Sequence, residues 1–87
     1  METDTRSAIT QALAASQTRT AWWRDPDSCE TLSHHGVAAL QALDAGDSAD
    51  ARWHLCCAHA VARSIGLGVH WSPAVRAAIP DGLALDR

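Results

Sequence analysis

The chain has 87 residues, 47% of them hydrophobic, and a net charge of −3 from ten acids and seven bases. That length bounds it to one small domain, residues 1–87, burying roughly 60–65% of its unfolded surface. The apolar fraction argues against disorder, and the acidic balance, with all seven bases Arg, lacks the basic footprint of a nucleic-acid binder.

The opening segment METDTRSAIT is polar and acidic, so it does not read as a secretory leader. From about Thr5 the period becomes helical. Ile9, Ala12, Leu13, Ser16, Thr20 and Trp23 recur at three- and four-residue spacing, which predicts one helix to Arg24 with Thr3 or Asp4 as its cap. Ser16 and Thr20 make the middle of that face small, so a neighbouring helix can approach closely. Asp25 precedes Pro26, and a residue before proline resists helical angles, so the helix should end there.

A second helix is predicted from Pro26 or Ser28 to Ala45. Asp25 or Asp27 is its N-cap, and proline suits the first helical position. Asp25, Asp27 and Glu30 crowd the first turn, where the helix dipole favours negative charge. Leu32, Gly36, Ala39, Leu40 and Leu43 form its apolar stripe. Gly36 on that stripe costs about 1 kcal/mol of helix propensity. Close contact with another helix, against a Trp, would offset that cost. Gly46 reads as the glycine that ends the helix.

A third helix is predicted from Ala49 to Ile65 or Leu67, capped by Asp47 or Ser48 and stopped by Gly66 and Gly68. A short fourth helix follows, with Ser72 as cap, Pro73 as first residue and Pro80 as stop. Residues 81–87 read as an extended end. The predicted fold class is all-α: a compact bundle of three main helices plus a short C-terminal helix. No apolar run reaches the length of a membrane span.

The third helix carries RWHLCCAHA, the most reactive-looking stretch. At about 100° per residue, His54 and Cys57 share one face, while Cys56 and His59 lie nearly opposite. One ion cannot be held by all four from a straight helix, and the paired spacing of a zinc finger is absent. His34, His35 and Cys29 on the second helix are the only nearby further donors. The preferred reading is therefore structural, with no metal or other cofactor and His54 and Cys57 as the alternative metal pair. Ala51, Leu55, Ala58, Val61, Ala62 and Ile65 form the core face, with those two at its margin. Three Cys, two of them adjacent, read as free thiols in a reducing cytoplasm.

No Ser/His/Asp order, phosphate loop or paired-carboxylate signature points to an enzyme. Four Trp stand in a chain without Phe or Tyr. Trp23, Trp53 and Trp71 are assigned to the core. Trp22 diverges from Trp23 by about 100° and, beside Arg24, has the composition of a binding hot spot.

The expected function is that of a non-catalytic protein-binding module, an inhibitor or adaptor. By analogy of size and charge, it suits the antirestriction or anti-CRISPR kind carried by phages and plasmids. The expected binding residues are Trp22, Arg24, Asp25, Asp27, Glu30, Arg52, His59 and Arg63, and the expected partner is a protein with a basic surface. Surplus apolar surface on the third helix also leaves room for a homodimer. The alternatives are a helix-turn-helix DNA-binding regulator with Arg52, His59 and Arg63 as its reading face, or a metal-binding or redox protein built on His54, Cys56, Cys57 and His59. The second and third helices loosely resemble a tetratricopeptide-type hairpin, although one pair does not make a repeat array.

Overall fold

A computed structural model describes residues 2–79, with the side chains of residues 2–4 outside the description. Among these residues the chain is helical, with no strand. The helices are α1 (Glu2–Ser16), α2 (Arg19–Arg24), α3 (Pro26–Asp44), α4 (Ser48–Ser64) and α5 (Gly68–Ala78). Helix α1 starts at Glu2, so the expected caps Thr3 and Asp4 lie inside its first turn, while the stop at Pro80 and the extended end lie outside the described residues. Among the described residues, no helix is long and apolar enough to cross a membrane.

Four helices close a ring. Helix α1 packs on α3 and α5, and α4 packs on the same two, while the short α2 leans on the α1 and α3 pair. Helices α1 and α3 run antiparallel: Arg6 pairs with Asp44 at 2.6 Å, and Gln17 Nε2 donates to Ser33 Oγ at 3.3 Å. The all-α bundle is as expected, but α5 is a full wall of it rather than an appendage.

Local chemistry explains each boundary. The predicted first helix breaks after Ser16. Thr18 turns extended (φ −67°, ψ 152°), and its hydroxyl accepts from the Ala21 N–H at 3.3 Å, capping α2. A threonine hydroxyl that can satisfy an orphan helix N–H competes with continuation of the helix. Asp25 then caps α3, accepting from the Ser28 N–H and hydroxyl at 3.1 and 2.9 Å, with Pro26 in the first turn. Asp47 caps α4 through the Asp50 N–H at 3.0 Å.

Helices α3 and α4 end alike. Gly46 and Gly66 take φ of 76° and 79°. The N–H of the residue after each glycine then reaches back to Ala42 O at 2.8 Å and Ala62 O at 2.7 Å. This is the Schellman closure, which needs a left-handed residue. Gly68 is not a terminator; it opens α5.

Helix α5 starts four residues before the expected cap. Ser72 sits inside it and bonds back to Gly68 O at 2.9 Å, and Pro73 is interior. Pro73 cannot donate to the carbonyl of Val69. Both residues are exposed, so water can supply that donor.

The early start of α5 places Trp71 in the core, where it is fully buried beside Ile9, Ala12, Leu32, Leu55 and Val75. Its Nε1–H donates to Ser16 Oγ at 2.9 Å, and that hydroxyl donates to Ala12 O at 2.8 Å, so no polar atom is stranded. A Cβ on Gly36 would lie 2.9 Å from the Trp71 ring and 2.9 Å from Leu13 Cγ. Gly36 is thus the close approach against a Trp that its apolar position predicts.

The other two core assignments are corrected. Trp23 is 82% exposed and Trp53 is 58% exposed. The break at Gln17 and Thr18 rotates α2 out of the α1 register, and α2 buries no residue. On α4 the core stripe is supplied by Ala51, Leu55, Ala58 and Ala62, leaving Trp53 beyond its edge.

Candidate functional site

Three surface regions hold the residues singled out from the sequence. The first is α2. Arg19, Trp22, Trp23 and Pro26 line a shallow depression, with Trp22 half-buried and Trp23 standing clear. On another side of the same helix, Arg24 and Asp25 line a cleft of about 110 Å³ with Thr18, Ile65 and Leu67. Asp27 and Glu30 are exposed on α3. Glu30 lines a separate open depression with His34 and Val37. Asp25 is committed to capping α3, so Asp27 and Glu30 are the acids left to act on a partner.

The second region is the groove between α4 and α5, lined by His59, Arg63, Gly68, Val69, Ser72 and Arg76. His59 was expected on the polar stripe of α4 but is only 9% exposed, because α5 covers that face. Arg52 remains exposed on α4. Of the three residues expected to read DNA in the alternative, Arg52 and Arg63 are exposed and His59 is covered. Arg76, on a different helix, was missed because its position depends on the packing of α5.

His59 Nε2 lies 3.2 Å from Ser72 Oγ. The Ser72 hydroxyl also donates to Gly68 O at 2.9 Å, and the direction of its contact with His59 follows the imidazole tautomer.

Burial lowers the His59 pKa below its ordinary 6.5, and Arg63 and Arg76 lower it further. The folded chain therefore binds fewer protons here than the unfolded chain. The associated stability is complete above about pH 6.5 and is lost as pH falls from there through the folded pKa. Thermal melts should show a declining melting temperature between pH 7 and pH 5, with a shallower decline in His59→Gln. An equal slope in that variant would show that His59 does not carry the effect.

The third region lies where α3 meets α4. His35 Nδ1 and His54 Nδ1 are 3.0 Å apart, and His54 Nε2 is 3.5 Å from Asp50 Oδ2. Trp53 packs edge-on to the His54 ring, with centroids 4.9 Å apart, and His34 flanks the pair. Burial lowers the His35 pKa, with smaller contributions from His54 and His34. The ring partner of His54 is thus His35 across the helix pair, rather than Cys57 one turn along. Among the described residues, no three His, Cys, Asp or Glu side chains converge to hold a metal ion.

The cysteines are free. Burial raises the thiol pKa of Cys29, with a smaller contribution from Asp25, and that of Cys56, with a smaller one from Cys57. Both thiols are held in the protonated, less nucleophilic form. No protein-family model matches the chain, and comparison with curated proteins and with solved structures returns no match.

Proposed function

We propose that the protein is a non-catalytic binding module that captures another protein through the α2 edge. The observation that carries this reading is Trp23, 82% exposed on a helix that buries nothing. A tryptophan in water forgoes roughly 1.5–3 kcal/mol of the burial energy available to a large apolar side chain. Trp22 and Trp23 offer rigid aromatic area of the kind that dominates interface energetics. Asp27 and Glu30, with the net charge of −3, favour a partner with a basic surface and would speed its approach. The cytoplasm is the proposed compartment, on the strength of three free thiols. An inhibitor or adaptor of a phage or plasmid, of the antirestriction or anti-CRISPR kind, suits this size and charge.

The test is affinity capture from extracts of the source cells, with light scattering on the purified chain to detect a homodimer. The double variant Trp22→Ala, Trp23→Ala should lose capture by a factor of about 30 or more, the effect of deleting a hot spot. Its helical circular dichroism should be unchanged. Charge reversal at Asp27 and Glu30 should slow association. Full-strength capture by both folded variants would reject this surface.

A further inference from the structure

The chain has seven bases against ten acids, yet two of the bases, Arg63 and Arg76, stand along one groove of about 320 Å³ between α4 and α5. Among the described residues lining that groove there is no Asp or Glu. Arg63 belongs to the α4 wall and Arg76 to the α5 wall, and both are exposed. The two walls are held in register. His59, only 9% exposed, forms the floor, and its Nε2 lies 3.2 Å from Ser72 Oγ, which joins the helices. Gly68, Ser72 and Arg76 follow at four-residue steps and share one face of α5, as His59 and Arg63 share one face of α4. The Arg63 stem rests on α5 where Gly68 leaves room: a Cβ there would come within 2.8 Å of Arg63 Cγ. Burial, and then the charges of Arg63 and Arg76, keep the His59 ring neutral near pH 7. The charge of the groove is therefore that of two guanidiniums. Like charges along one groove repel, and an anion between them removes that cost.

We infer that the groove between α4 and α5 binds a dianionic phosphate group, free or carried as a monoester, with Arg63 and Arg76 as its two clamping cations. Two positive charges on facing walls match two negative charges. A guanidinium presents paired N–H donors that fit phosphate oxygens, and a phosphate monoester has three terminal oxygens to serve two arginines at once. A carboxylate has two oxygens in one plane, and a single arginine satisfies both. A phosphodiester carries only one charge. The groove opens to solvent, so the organic group of a monoester stays outside, beside exposed Val69 on the rim. The site lies on α4 and α5 and is independent of the α2 surface.

The experiment is calorimetric titration of the full chain with sodium phosphate and with phenyl phosphate at pH 7.5, accompanied by proton NMR of the histidine rings. The expected result is one equivalent bound, with saturation below ~10 mM. The ligand offsets the charge of the two arginines, so the titration midpoint of His59 should rise on binding. Arg63→Gln and Arg76→Gln should each weaken binding about tenfold, the effect of losing a charge-assisted hydrogen bond. Gly68→Ala keeps both charges but displaces the Arg63 stem, and it should weaken binding as well. Exposed Arg52→Gln, outside the groove, should leave binding unchanged. Phenyl phosphate bound at least as tightly as phosphate assigns the site to a carried phosphate, and a preference for inorganic phosphate assigns it to the free ion. Circular dichroism checks that each variant is folded. Absence of saturable binding, affinity undiminished in folded Arg63→Gln and Arg76→Gln, or equal affinity for diethyl phosphate or acetate would overturn the inference.

Discussion

Trp71→Ala should destabilise the protein by about 3–5 kcal/mol, the range for removing a buried Trp or Phe. In a domain of this size that corresponds to a melting-temperature loss of roughly 12–40 °C, so the variant should be largely unfolded at 37 °C. Trp71 is the largest fully buried side chain, and it lies among helices whose other inward residues are mostly alanines. Those alanines cannot close the cavity without moving whole helices. Trp71→Phe separates volume from polarity. It keeps most of the ring but removes the Nε1–H that donates to Ser16 at 2.9 Å, adding a loss of about 1 kcal/mol for that hydrogen bond. Chemical denaturation of both variants measures the two effects. A Trp71→Ala protein within about 1 kcal/mol of the parent would contradict the central role of this residue.

Gly36→Val should cost about 3 kcal/mol, the upper end of overpacking, even though it removes a glycine from the middle of a helix. The new side chain meets two neighbours that yield unequally. Leu13 is half-buried and can change rotamer. The Trp71 ring, 2.9 Å from the ideal Cβ, is enclosed and tethered to Ser16. Gly36→Ala divides these contributions. It gains about 1 kcal/mol of helix propensity and still loses to the contact with Trp71. Adding Leu13→Ala should recover only part of the deficit, and the non-additivity of the pair measures the contact. Stabilisation by Gly36→Ala alone would show that α3 and α5 do not approach this closely.

The helical class, the bounds of α3 and α4, their Asp caps and the glycine endings were legible in the sequence, because each rests on chemistry within a few residues. The Gly36 and Trp contact was also foreseeable, since a glycine on an apolar stripe signals close approach. The break between α1 and α2 was harder to read. The apolar spacing runs unbroken from Ile9 to Trp23, and only the capping potential of Thr18 argues against it. That one turn decides the fate of Trp23, which spacing assigned to the core and the fold sets in solvent. Pro73 misled in the opposite sense. Proline most often opens a helix, and nothing local shows that Gly68 to Trp71 already form a turn held by packing on α1 and α4. The His35 and His54 contact and the placing of Arg63 and Arg76 along one groove bring together residues of different helices. A wheel drawn for one helix cannot show them.

The binding role of the α2 edge is tested most directly by fluorine NMR of the chain labelled with 5-fluorotryptophan, with and without a captured partner. The four tryptophans give four resonances, assigned by single Trp→Phe variants. At saturation the Trp22 and Trp23 signals should shift and broaden, while buried Trp71 stays in place. A saturated complex in which the Trp22 and Trp23 resonances do not move would contradict the account.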